Sequence, residues 1–182
     1  MTVAGLLLAA GAGTRMGMPK ALVRDADGTS WLQRSVAALV DGGCAPVTVV
    51  LGARADEATP LVPDGVPVVV ADDWAEGMAA SLRAGLAALG DADAVVLSLV
   101  DLPDVTADVV RRVVAAGADR ATLSRAAFHG TPGHPVVIGR DHWAGVAVSA
   151  TGDFGARHYL AANDVAVIEC GDLATGRDQD SR

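Results

Sequence analysis

The chain has 182 residues, enough for one domain with a substantial core. Apolar residues make up 51% of it, which excludes a disordered chain. A net charge of −8 leaves no basic face of the kind that displaces phosphate counterions, so nucleic acid is excluded as a partner.

Cys44 and Cys170 make no C-x-x-C pair, and the four histidines show no H-x-x-x-H spacing, so a zinc site is not expected. Both cysteines read as small buried hydrophobes in a reduced, cytoplasmic protein. No apolar run is long enough to cross a bilayer, so no membrane partner is expected. No cation precedes the apolar stretch Val3 to Gly13, which reads as a buried strand and not as an export signal.

In chain order, the patterning predicts a strand over Val3–Ala9 and a helix over Trp31–Val40 with Ser30 as its N-cap. Strands over Pro46–Leu51 and Val66–Ala71 follow, then a helix over Met78–Leu89. A strand over Ala94–Leu99 leads to a helix over Thr106–Ala116, whose first turn carries the acidic Asp108 that a helix dipole favours. Strands rich in Val and Leu on both faces, alternating with helices, imply a mostly parallel sheet with helices on both faces. After residue 120 the pattern becomes a small β-rich excursion. Thr122–Arg125 and Pro135–Ile138 read as strands joined by a turn-rich Phe128–His134. A helix over Ala156–Ala162 and a strand over Val165–Cys170 complete a single domain at residues 1–170. Residues 171–182 are polar and patternless and are expected to be a disordered tail.

The chemistry concentrates in Leu6 to Leu22. A buried strand runs into Gly11, Gly13 and Gly17, and the loop then carries Arg15 and Lys20. Glycines allow tight turns and close approach to a ligand, and successive N–H groups form an anion trap. Arg supplies a planar fork for phosphate oxygens and Lys a point charge. A triphosphate suits this loop best. It is neither of the two commonest glycine loops. The dinucleotide fingerprint fails because Met16 stands where its third glycine belongs. The P-loop fails because five residues separate Gly11 from Gly17, and Lys20 sits between Pro19 and Ala21.

Leu8-Ala9-Ala10-Gly11, Arg15-Met16-Gly17 and Pro19-Lys20 together resemble the opening signature of the MobA-like NTP transferase family. The resemblance implies a single GT-A/Rossmann-like domain, dependence on Mg2+, and transfer of a nucleoside monophosphate from an NTP. It places Leu8, Ala9, Ala10, Gly11, Gly13, Arg15 and Lys20 at the nucleotide. Ala12-Gly13 departs from the polar or charged residues often found there in the family, and is expected to loosen the loop.

Four downstream segments extend the resemblance to about residue 160. Leu97-Ser-Leu-Val-Asp101-Leu-Pro103 is similar to the family's metal aspartate segment. A carboxylate beside a triphosphate is repulsive, by about 4 kcal/mol at 4 Å and an effective dielectric near 20. A bridging Mg2+ reverses that sign, so Asp101 is expected to bind metal. Trp74-Ala-Glu76-Gly77-Met78-Ala-Ala-Ser81-Leu resembles a stretch of the molybdenum cofactor cytidylyltransferases, which places Gly77 and Ser81 at the nucleotide. Asp73 reads equally as a nucleotide contact and as a charge at a helix start. Gly133-His134-Pro135 and Gly152-Asp153-Phe-Gly155-Ala-Arg157 resemble the same subgroup. Asp153 is a candidate second metal or substrate contact, with helix capping as the other reading. His134 and Arg157 are candidates for contact with the acceptor, and His134 reads equally as a buried turn residue.

The resemblance implies transfer of CMP from CTP to molybdopterin with release of pyrophosphate. Lys20, Arg15 and Asp101 would carry the catalysis. A guanylyltransferase for the same cofactor, another phosphorylated acceptor, and a non-catalytic nucleotide-binding module, chaperone-like toward a molybdoenzyme, are the alternatives.

Overall fold

The computed structural model describes residues 1–179. A seven-stranded sheet is built from β1 (Val3–Ala9), β2 (Val47–Leu51), β3 (Val68–Val70), β4 (Ala94–Leu99), β5 (Leu123–Phe128), β6 (Thr131–Gly139) and β7 (Ala166–Glu169). Among the described residues six α-helices accompany it: α1 (Trp31–Asp41), α2 (Ala55–Ala58), α3 (Met78–Ala87), α4 (Ala107–Ala115), α5 (Arg140–Ser149) and α6 (Arg157–Ala162). The strand order is β3-β2-β1-β4-β6-β5-β7. Only β6 runs antiparallel to its neighbours, and every other pairing is parallel. This is the expected α/β fold.

β1 is buried along its whole length, as a central parallel strand must be. Its side chains alternate between two cores. Val3, Leu7 and Ala9 join Leu32, Val36 and Leu39 of α1 and Val109, Val110 and Val113 of α4. Ala4, Leu6 and Leu8 join Leu82 and Leu86 of α3, Val146 of α5 and Leu160 of α6. Leu6 and Leu7 are fully buried, each stabilising the fold by about 1.5–3 kcal/mol. Ser30 caps α1 as expected, its hydroxyl accepting the Gln33 amide. Among the described residues no helix is long and apolar enough to cross a membrane.

Four expectations need correction. Phe128–His134 is not a connecting loop, because β5 and β6 form a tight hairpin through it. His129 and Gly130 both take positive φ, 52° and 80°, as a two-residue hairpin turn requires. β3 begins at Val68 and not at Val66, since Pro67 has no N–H for the ladder. Helix α5 was not expected: Val146 is its only buried residue, so no apolar stripe announces it.

The fourth correction concerns the tail. Residues 171–179 pack against the domain. Thr175 donates its amide and hydroxyl to Asp104 at 2.5 and 2.6 Å, and Arg112 grips Asp172. Ala174 is buried, and the Gln179 amide donates to the Asp101 carbonyl at 2.9 Å. Side-chain partners far away in sequence hold a segment that has no periodicity of its own. Residues 180–182, which belong to the same expectation, lie outside the described residues.

Candidate active site

The glycine loop leaves the carboxyl end of β1, where open α/β sheets bind ligands. Gly13 adopts φ +61°, and a Cβ there would lie 1.9 Å from the Met18 carbonyl oxygen. The Met16 amide donates to the Gly13 carbonyl, which closes a turn over Arg15. The expected loosening at Ala12-Gly13 is therefore not found; Gly13 is the only residue type that lets the loop fold back on itself. Pro19 then opens a short 3-10 turn, Lys20–Leu22, which sets Lys20 facing β4.

β4 delivers Asp101 two residues past its end. Lys20 Nζ and Asp101 Oδ2 are 2.7 Å apart, with both side chains less than a fifth exposed. The other carboxylate oxygen, Asp101 Oδ1, is buried and has no hydrogen-bond partner among the described residues. A buried carboxylate oxygen left bare costs free energy unless something positive meets it.

The third wall comes from the start of α3. Gly77 has φ +111°, and a Cβ would lie 2.5–2.7 Å from Gly152 and Asp153 Oδ1. That contact clamps α3 against the 152–154 turn and brings Asp153 to the cleft. The N-cap of α6 is Ala156, with no side-chain cap bond, so Asp153 does not cap that helix.

These walls enclose a cleft of about 420 Å3, within the range of small-molecule sites. Leu8, Ala9, Ala10, Gly11, Gly13, Arg15, Lys20, Gly77, Ser81, Asp101 and Asp153 all line it, with Trp74 and Met78 on the apolar side. Asp73 does not. It is exposed and outside the lining, and its carbonyl accepts the Glu76 amide in the turn before α3. It stands at the N-cap of the 3-10 turn Trp74–Glu76, with no side-chain cap bond.

A second hollow of about 370 Å3 adjoins the first and shares Leu8, Met78, Leu99, Asp101 and Asp153 with it. His134 and Arg157 line this second space. So does Arg125, which the sequence reading did not single out. Its signal was visible: Arg125 and His134 are the only ionisable residues in β5 and β6. Burial, together with the Arg125 and Arg157 charges, pushes the His134 imidazole down to about 4, so it is neutral near pH 7.

The donor set can be tested against a divalent ion. Among the described residues no cluster of three or more His, Cys, Asp or Glu could hold a metal. Asp101 and Asp153 together cannot cage one. They fit an ion that arrives with phosphate oxygens and water, since Mg2+ is commonly held by one or two carboxylates plus substrate phosphates. The bare Asp101 Oδ1 is the atom such an ion would meet.

Residues 5–167 match the sequence profile of the MobA-like NTP transferase domain. A protein named nicotine blue oxidoreductase, from Paenarthrobacter nicotinovorans, is 35% identical over 98% of this chain and 92% of its own. A nucleotidyl transferase from Methanothermobacter is 26% identical, with a TM-score of 0.79 over 93% of this chain and 87% of its own. A Mycobacterium tuberculosis H37Rv protein solved in complex with manganese is also 26% identical, with a TM-score of 0.78 over 98% of this chain and 94% of its own.

Proposed function

The chain belongs to the MobA-like NTP transferase family and is a nucleotidyltransferase, and from that premise we propose that it transfers CMP from CTP to the phosphate of molybdopterin, releasing pyrophosphate. The observation that carries the reading is the Lys20–Asp101 pair, with its bare second oxygen, at the floor of a glycine-walled cleft. The choice of CTP and molybdopterin rests on the Ala10, Trp74–Leu82 and Gly152–Arg157 resemblances to the cytidylyltransferase subgroup.

In this reading the triphosphate lies along the glycine loop, its oxygens taking backbone N–H groups from residues 11–17 and the Arg15 guanidinium. An acceptor phosphate oxygen, already ionised near pH 7, attacks the α-phosphorus in line. The bond from α-phosphorus to the bridging oxygen breaks, and pyrophosphate leaves. No protein base is needed. Lys20 turns from Asp101 toward the α-phosphate oxygens as their charge spreads, and the interaction is stronger in the transition state than before it. Asp101 and Asp153 would hold a divalent ion, Mg2+ or Mn2+, which neutralises phosphate charge when bound. The second hollow holds the acceptor beside the reacting phosphorus.

The test is pyrophosphate release from CTP or GTP, with molybdopterin and Mg2+ or Mn2+. Release with CTP above GTP supports the proposal. GTP preference would make the chain a guanylyltransferase. Nucleotide binding without release would make it a non-catalytic module, chaperone-like toward a molybdoenzyme.

A redox reading is favoured by one observation, the relative named as an oxidoreductase. Cys44 and Cys170 are buried outside the cleft, and burial pushes the Cys44 thiol up to about 12. Oxidoreduction here would need a dissociable carrier such as a nicotinamide dinucleotide, bound by its phosphates in the same loop. Titration with NADH and NADPH separates the two readings.

A further inference from the structure

Seven arginines of this acidic chain form ion pairs: Arg34, Arg54, Arg83, Arg111, Arg112, Arg120 and Arg140. Arg125 and Arg157 form none among the described residues, yet both line the second hollow. Arg125 is half-buried on β5. Its Nε and Nη2 both donate to the Gly133 carbonyl, at 3.3 and 3.1 Å, which fixes the guanidinium plane against the hairpin. Arg157 opens α6 and lines the same hollow.

Two like charges facing one partly desolvated space repel each other. Burial and the Arg157 charge both work against the Arg125 cation. The neutral His134, which lines the same hollow, adds no positive charge. Asp153 and Asp178 also line the hollow, but neither comes within ion-pair distance of either guanidinium. A ligand anion shared between the two forks would relieve that repulsion. Leu82, Leu97, Val136 and Leu160 form the apolar remainder of the wall.

We propose that Arg125 and Arg157 form a seat for the phosphoryl group of the acceptor, and that Arg125 determines which acceptor is accepted. The inference rests on the nucleotidyl-transfer reading, and names the group by which the second substrate is held: a compact phosphoryl head. A planar fork locked on β5 selects by geometry, whereas Arg157, at an exposed helix start, supplies attraction.

The test titrates inorganic phosphate, and separately acetate, into the full chain while NMR follows the His134 imidazole. CTP with Mg2+ is titrated in parallel. The expected result is a saturable phosphate shift of His134 in the wild type, weakened by about tenfold or more in Arg125→Ala and in Arg157→Ala. Arg125→Lys, which keeps the charge and the fold but not the fork, recovers only part of it. CTP affinity is unchanged in all three. A His134 resonance indifferent to phosphate, or equal phosphate affinity in every variant, overturns the proposal; so does a stronger response to acetate. Failure of CTP to bind, with the phosphate response intact, defeats the nucleotide reading and leaves the anion seat standing.

Discussion

Lys20 and Asp101 stand 81 positions apart and meet at 2.7 Å, the one ion pair that joins the glycine loop to β4 among those described. The loop arrives from β1 and the carboxylate from β4, two strands paired in register from Val3–Ala94 to Leu8–Leu99. Sheet pairing therefore sets the distance between the two charges, and the nucleotide does not have to assemble the site.

Lys20→Ala should lower kcat by about 10²–10³, the usual size for one transition-state donor. It removes a partner from a largely shielded carboxylate, so melting is measured alongside. A pyrophosphate-release rate near that of the wild type would remove Lys20 from the chemistry.

Asp101→Asn keeps the shape and loses the anion. Half-maximal activity should then need at least about tenfold more divalent ion, and kcat should fall by a similar or larger factor. Chelation should abolish turnover of the wild type and leave its melting temperature unchanged when no nucleotide is present. A Mg2+ titration of activity reads both effects.

Gly13→Ala and Gly17→Ala separate steric overlap from backbone strain. Both glycines have positive φ, but a Cβ at Gly13 overlaps the Met18 carbonyl while one at Gly17 meets open space. Gly17→Ala should lose only the left-handed cost of about 1–2 kcal/mol. Gly13→Ala should also unfold the turn and weaken CTP binding by more than about tenfold. Calorimetric titration and thermal melting check the pair.

His134 gives the fold an acid-side weakness. Its imidazole takes up a proton only near pH 4 when folded, against 6.5 for an ordinary histidine. Between those values the unfolded chain binds more protons, so stability is whole above about 6.5 and falls as the pH drops toward 4. Urea midpoints at pH 7, 5.5 and 4.5 should fall in the wild type and fall less in His134→Gln.

Deleting residues 172–182 removes the Arg112–Asp172 and Thr175–Asp104 contacts and uncovers Phe128, against which Gly176 packs. The expected loss is about 1–3 kcal/mol, or about 3–10 °C of melting temperature. An unchanged melting curve would show that the segment adds nothing to the fold.

Most of the first hundred residues are legible in the sequence because the strands are dense apolar runs and α1 and α3 bury an apolar face; α2, four residues long, has no such stripe and was not expected. Strands Val3–Ala9 and Ala94–Leu99 are found at the expected bounds. The later part is harder for physical reasons. Thr131-Pro-Gly-His134 contains turn residues, yet forms the start of β6 because β5 and Glu169 hold it: the Glu169 carboxylate accepts the His129 and Gly130 amides. The cleft was legible because its signature is contiguous. Arg125 gives a weaker signal, a lone cation in β5, and what it does depends on which residues share its hollow.

The reversed direction of β6 has one more consequence. On the β1–β4 half, ligand groups emerge where strands finish; on the β5–β6 half, His134 emerges near where a strand begins. In the proposed reaction the two halves of the rim thus hang on separately encoded pieces of chain, and changes confined to the 123–139 hairpin should re-tailor what is modified without retuning what is donated.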